Sequence, residues 1–142
     1  MRKVRDVMQP SVTTITPATP RAEIERQMAQ RGMHHLPVLE GGAIVGMISY
    51  GDVRRARASD VPRLSISEPP SASSVAPARA MMSRPVIKVA VTAPLSRAAW
   101  LMLKHKIAGL PVLRDGRLVG IITASDILRE VARPLLDEEE RS

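Results

Sequence analysis

The sequence predicts an α+β fold built from two copies of a strand-helix-strand-strand-helix unit, and three observations predict it. Gly46-Met47-Ile48-Ser49-Tyr50-Gly51-Asp52 returns as Gly120-Ile121-Ile122-Thr123-Ala124-Ser125-Asp126, 74 positions later. The same offset carries without a gap to Leu36-Pro37-Val38-Leu39 and Leu110-Pro111-Val112-Leu113, to Met28 and Met102, to Pro20 and Pro94, and to Val12 and Val86, which marks a tandem duplication. Copies of about 45 residues rarely bury an adequate core alone, so two of them in a 142-residue chain are expected to pack against each other.

Met1 to Pro10 is a basic lead-in whose Val4, Val7 and Met8 suit a short docked helical turn. Ser11 to Thr16 alternates and is rich in β-branched residues, the pattern of a strand. Thr19-Pro20 supplies an N-cap and a proline at the first helical position, with Glu23 and Glu25 near the positive end of the helix dipole; this helix is expected to end near Gly32. Leu36–Leu39 and Ala43–Ile48 read as strands around Glu40-Gly41-Gly42, glycines suited to positive φ in a tight hairpin, and Asp115-Gly116 marks the same turn in the second copy. A second helix is expected from Ser49 or Tyr50 to about Ala58, and its counterpart from Ala124 to about Ala132, before Pro134. The second copy's first helix places Leu95, Ala98, Ala99 and Met102 on one face, where the first copy keeps Ile24 and Met28 but has Arg21 and Glu25 at the other two places. The copies thus span residues 1–58 and 78–134, with a linker at 59–77 and an acidic tail at 135–142. The linker contains Glu68-Pro69-Pro70-Ser71-Ala72-Ser73-Ser74, a composition that favours disorder at its centre, while Arg79 to Met82 should form a turn matching Arg5 to Met8.

Composition narrows the function. Phe is absent and Trp and Tyr occur once each among 44% hydrophobic residues, so aliphatic side chains and eight Met must build the core; stacking platforms for single-stranded nucleic acid are hard to supply. The lack of Cys removes disulfides, thiolate metal sites and a cysteine nucleophile. No apolar run approaches the roughly 20 residues of a membrane span, and the start does not resemble a signal core, so a soluble cytoplasmic protein without membrane attachment is expected. Net charge is +7, and outside residues 137–142 there are 20 basic and 10 acidic side chains, a balance that favours anionic partners.

The repeated stretch joins a glycine, a hydroxyl residue and a carboxylate at the start of a helix. Free backbone N–H groups and the dipole favour phosphate there, the hydroxyl adds a donor, and the carboxylate can accept two vicinal ribose hydroxyls. The same spacing is also that of a helix capping box, and duplication copies structural residues as faithfully as functional ones. Spacing alone leaves both readings open.

A tandem pair of such units, each with an apolar-Pro-Val strand followed by Gly-apolar-apolar-Ser/Thr-x-x-Asp, resembles the cystathionine β-synthase (CBS) domain pair, or Bateman module, over roughly Val4 to Leu128 apart from the linker. The resemblance implies two repeats packed sheet to sheet with pseudo-twofold symmetry, and adenosine-containing ligands (AMP, ADP, ATP, NAD or S-adenosylmethionine) in the clefts between them. It implies that Asp52 and Asp126 hold ribose hydroxyls and that Ser49 and Thr123 contact phosphate. The base would lie among Ile15, Met33 and His35 in one copy and Val89, Ile107 and Gly109 in the other. Arg54 and Arg55 follow Asp52, where Leu128 and Arg129 follow Asp126, so a polyphosphate would meet more guanidinium at the first motif; a solvated helix face explains the same pair of arginines. His34 and His35, as neighbours on a strand, point to opposite faces and do not form a joint metal site.

Enzymatic chemistry finds no support in the residues. His34, His35 and His105 show no ligand spacing with carboxylates, Ser49 and Asp52 lack a His partner, and Gly41 to Gly46 does not have the spacing of a phosphate loop. The expected function is that of a regulatory module that needs no cofactor, binds an adenine nucleotide as its ligand and signals to a regulated protein in trans. The alternative is an interaction module that binds nucleic acid or an acidic protein through its basic surface. The resemblance also implies a homodimer formed through helices, with Trp100 either an exposed anchor or a cover for its own core.

Overall fold

Each lead-in folds onto the other copy's helices and strands. The computed structural model describes residues 2–60 and 75–142 and divides into two compact units, one of Thr13–Val86 and one of Met1–Val12 with Ile87–Ser142. The lead-in helix α1 (Val4–Val7) therefore belongs to the unit that carries the second copy. The disorder expected at the centre of the linker falls on residues 61–74, outside the described residues.

In the unit of the first copy, helix α2 spans Arg21–Arg31 and stops at Gly32, whose φ of 62° suits a residue without a Cβ. Its N-cap is Pro20, not Thr19. Thr19 Oγ1 instead accepts from the Thr16 N–H at 3.0 Å, closing the preceding turn. That bond also helps explain why Ser11 to Thr16 is not the expected strand: it makes a single parallel bridge, Ile15 to Val38, and Pro10 and Pro17 on either side have no N–H to extend it. Strands β1 (His35–Glu40) and β2 (Ala43–Ser49) form an antiparallel hairpin. Gly41 and Gly42, at φ 58° and 81°, make its two-residue turn. Helix α3 (Tyr50–Asp60) follows directly, and α4 (Ala78–Met81) closes the unit.

The unit of the second copy repeats this plan with a third strand. Strand β3 (Val89–Ala90) pairs in parallel with β4 (Gly109–Arg114), which pairs antiparallel with β5 (Arg117–Thr123); α5 (Leu95–His105) lies between β3 and β4 in the chain. The two hairpins agree in register, since His35 faces Ser49 as Gly109 faces Thr123, and each shifts register between matched residues, Val38/Leu39 and Val112/Leu113. Helix α6 runs from Ala124 to Glu140 with Pro134 inside it, so it does not stop at Ala132, and residues 135–140 are helical. Proline removes the hydrogen bond to the Glu130 carbonyl, but Pro134 is exposed, where water can serve that oxygen.

Matched anchors hold the lead-ins. Val4 and Ala78, 74 positions apart, are fully buried. The Val4 N–H donates to the Ala93 carbonyl and the Ala78 N–H to the Thr19 carbonyl, both at 2.8 Å. Val4 joins a core of Val89, Leu101, Leu110, Val112 and Ile122, and Ala78 one of Ile15, Ile24, Leu36, Val38 and Ile48. Burial of an aliphatic side chain stabilises by about 1.5–3 kcal/mol, so α1 is fixed mainly by Val4. At the two charged places in α2, the buried Arg21 pairs with Glu25 at 3.4 Å and Arg57 of α3 adds a second cation at 3.3 Å.

Candidate functional site: two capped helix starts

The strand leaving each hairpin runs straight into a helix, so its last residue becomes the N-cap. In the first copy the Asp52 N–H donates to Ser49 Oγ at 3.1 Å and the Ser49 N–H donates to Asp52 Oδ2 at 2.8 Å. In the second copy the Asp126 N–H donates to Thr123 Oγ1 at 3.3 Å and the Thr123 N–H to Asp126 Oδ2 at 2.8 Å. Both motifs are reciprocal capping boxes.

Capping does not exhaust either group. A hydroxyl that accepts through a lone pair still has its O–H to donate, and each Asp takes the cap bond on Oδ2. The other oxygen faces cations: Asp52 Oδ1 is paired with Arg55, and Asp126 Oδ1 with Arg129 at 3.4 Å. Asp126 also accepts from Gln9, whose Nε2 lies 3.2 Å from Oδ1 and 3.3 Å from Oδ2. Both carboxylates are thus held by hydrogen bonds and a cation.

The remaining residues named from the sequence divide into three groups. His35 and Gly109 lie directly opposite Ser49 and Thr123 at the ends of the hairpins, so the fold brings them to the motifs. Arg55 contacts its Asp, whereas Arg54 lies over the Tyr50 ring at 6.0 Å, beside a His34–Tyr50 stack with centroids 5.5 Å apart. Ile15 and Val89 are 4% exposed and belong to the cores of their units, with Met33 and Ile107 partly buried against those cores. His34 precedes β1, so the alternation of a strand does not govern the His pair.

The glycine of each motif serves a purpose the sequence only hinted at. A Cβ on Gly120 would stand 2.8 Å from the Gln9 carbonyl oxygen and 2.7 Å from Met8 Sδ, and a Cβ on Gly46 would strike Met82. The close approach is made by the lead-ins of the protein itself. Sequence reasoning missed Gln9; the signal was the 74-residue offset, which also aligns Met8 with Met82 and Gln9 with Ser83.

Two helix-hairpin-helix copies, the second with an added leading strand and each with a capped Ser/Thr-x-x-Asp helix start, define a tandem repeat module. The family model of the CBS domain matches residues 4–59 and 78–133, and the chain belongs to that family. It is 31% identical over 133 residues to an uncharacterized 33.4 kDa protein in the ribosomal RNA operon of Thermofilum pendens, covering 92% of this chain and 44% of that protein; the chain thus spans less than half of that relative's length. It is 26% identical over 127 residues to the CBS domain-containing protein YhcV of Bacillus subtilis, covering 89% of this chain and 84% of that one. Among solved structures, the CBS domain pair of protein MJ0100 in complex with 5′-methylthioadenosine and S-adenosyl-L-methionine superposes with a TM-score of 0.81 at 26% identity, covering 94% of this chain and 98% of the other. Among the described residues, no helix is long and apolar enough to cross a membrane.

Proposed function

We propose that the chain is a regulatory module of the cytoplasm that binds an adenosine-containing ligand, AMP, ADP or ATP before NAD or S-adenosylmethionine, and signals to a regulated protein in trans without catalysing a reaction. The observation that carries this reading is the pair of capping boxes, each of which keeps an O–H donor and a carboxylate oxygen beyond the needs of its helix. Phosphate would meet Ser49 or Thr123 and the helix N–H groups, and the ribose diol would meet Asp52 or Asp126. His35 and Gly109, opposite the hydroxyl residues, border the sites. Ile15, Met33, Val89 and Ile107 contribute the apolar floor, and Arg54 and Arg55 favour a polyphosphate at the first motif. The adenosine ligands of the related MJ0100 pair support the choice of base.

The module acts as a homodimer. Support comes from the apolar side chains exposed on α5 and α6, Trp100, Leu103, Leu128, Val131 and Leu135, a composition that on a soluble protein marks an interaction face.

Thermal unfolding with AMP, ADP, ATP, NAD and S-adenosylmethionine at constant ionic strength tests the reading. A ligand at 100 times its dissociation constant adds about 2.7 kcal/mol, which for this chain length raises the midpoint by roughly 5–11 °C. No shift with any ligand sinks it. A steep salt dependence of binding to nucleic acid would then favour the basic surface as the working part.

A further inference from the structure

Gln9 lies outside both motifs, yet the fold delivers it to one of them. The lead-in pairs with β5 through the Gln9 N–H to the Ile121 carbonyl at 2.8 Å and the Ile121 N–H to the Gln9 carbonyl at 3.0 Å. Gly120 lets Met8 and the Gln9 backbone settle against the strand. From that fixed backbone the carboxamide reaches Asp126, with Nε2 within 3.3 Å of both carboxylate oxygens.

The other unit is an internal control. Its lead-in docks in the same way, the Ser83 N–H donating to the Met47 carbonyl at 2.9 Å and Met82 lying against Gly46. Ser83 stands at the place of Gln9, and among the described residues its short side chain makes no hydrogen bond to Asp52. Both carboxylates carry an arginine three residues on, so the arginine does not distinguish them. The carboxamide does.

We propose that Gln9 is a built-in competitor at the Asp126 motif. An amide NH2 donates to the carboxylate oxygens that a vicinal diol would use, so a nucleoside must displace it before its ribose can bind there. Among the described residues the Asp52 motif has no such occupant, and it fills first. This inference rests on the reading of the motifs as nucleoside phosphate sites, and gives their occupancy an order. Because Gln9 is part of the lead-in, occupation of the second motif also releases a side chain that ties residues 8–9 to the helix start.

The test uses AMP and the full chain. Asp52→Asn isolates the second motif and Asp126→Asn the first. Gln9→Ser, which installs the residue found at the matched place, is expected to tighten AMP binding about tenfold in the Asp52→Asn background, the scale of one lost hydrogen bond to a charged group, and to leave the Asp126→Asn background unchanged. Equal or weaker binding after Gln9→Ser overturns the proposal and makes Gln9 neutral or a ligand contact. A second readout needs no nucleotide: the side-chain amide resonances of Gln9 are expected to move on Asp126→Asn, and their failure to move overturns the contact itself. If they move but neither the wild type nor any variant binds AMP, the nucleotide reading has failed and the proposal falls with it.

Discussion

The Arg97 guanidinium lies over the Trp100 ring, 4.8 Å from its centre. Seventy-four positions earlier the same two helix places hold Glu23 and Arg26, which form an ion pair. A cation over an exposed indole contributes about 0.5–1 kcal/mol, and a surface ion pair stabilises a helix too, so helix stability does not call for the tryptophan. The difference continues across the face: the exposed Leu103, Leu128 and Val131 stand where the first copy has Ala29, Arg54 and Arg57. Two copies of one fold tolerate either character there, so the apolar set answers to something other than folding.

A second copy covering α5 and α6 would desolvate Trp100, the only tryptophan of the chain. On dilution its emission is expected to move to the red, in step with a fall in scattering mass from twice 15.5 kDa to 15.5 kDa. Leu128→Glu is expected to weaken association at least tenfold, the effect of a charge at the centre of an interface, while Arg54→Glu at the matched place leaves it unchanged. A mass of one chain at every concentration rules the dimer out.

The Glu23 pair predicts a titration. Hydrogen bonds from Arg26 and then Gln27 hold the Glu23 carboxyl below its ordinary value of 4.5. A carboxyl depressed by folding contributes stability above its unfolded value and loses that contribution as pH falls through the folded one, so the window lies below pH 4.5. The pair is at the surface and screened by salt, which makes the carboxyl carbon of Glu23, followed by NMR, the right observable. Arg26→Ala is expected to move its midpoint up towards 4.5; an unmoved midpoint means the pair is not formed in solution.

The elements legible in the sequence were those whose residues leave the backbone little choice. Gly32, Gly41-Gly42 and Asp115-Gly116 all have positive φ, and each falls at the helix end or hairpin turn expected of it. The strand at Ser11 to Thr16 was read from β-branched propensity, which describes how a side chain suits a sheet and not whether a neighbouring strand is present. Pro134 suggested a stop because proline usually ends a helix, but a helix survives one when the freed carbonyl meets water. Ser49, Asp52, Thr123 and Asp126 were visible because they occur twice. Gln9 was not, since the contact depends on which copy the lead-in joins, and nothing local in residues 1–12 says that.

Gly120→Ala tests how the lead-in docks. The added methyl would stand 2.8 Å from a backbone oxygen and 2.7 Å from Met8 Sδ; the sulfur can swing away, but the Gln9 carbonyl is held by its bond from the Ile121 N–H. The expected cost is about 1–3 kcal/mol, or roughly 2–12 °C in the midpoint, with faster hydrogen exchange at Gln9 and Ile121. Gly51→Ala serves as the control, because a Cβ there meets nothing closer than 3.5 Å. Unchanged exchange at Gln9 would mean that the segment docks differently.

The capping role of Asp52 and Asp126 and the ribose contact proposed for them separate two substitutions usually treated as equivalent. Alanine removes the acceptor of the Ser49 or Thr123 N–H along with the oxygen proposed for ribose, so it should cost about 1 kcal/mol of stability as a lost cap partner and lose ligand as well. Asparagine keeps one carbonyl oxygen for the cap, but its second position is an NH2, a donor facing the hydroxyl donors of a diol. Asp52→Asn keeps the cap acceptor and gives up the pairing with the surface Arg55, so it is expected to cost less stability in denaturant unfolding than Asp52→Ala, while its AMP affinity at the first motif falls about tenfold or more. Asp52→Ala should show both losses. If the asparagine variant binds AMP as the parent does, the carboxylate is a cap alone and ribose is held elsewhere.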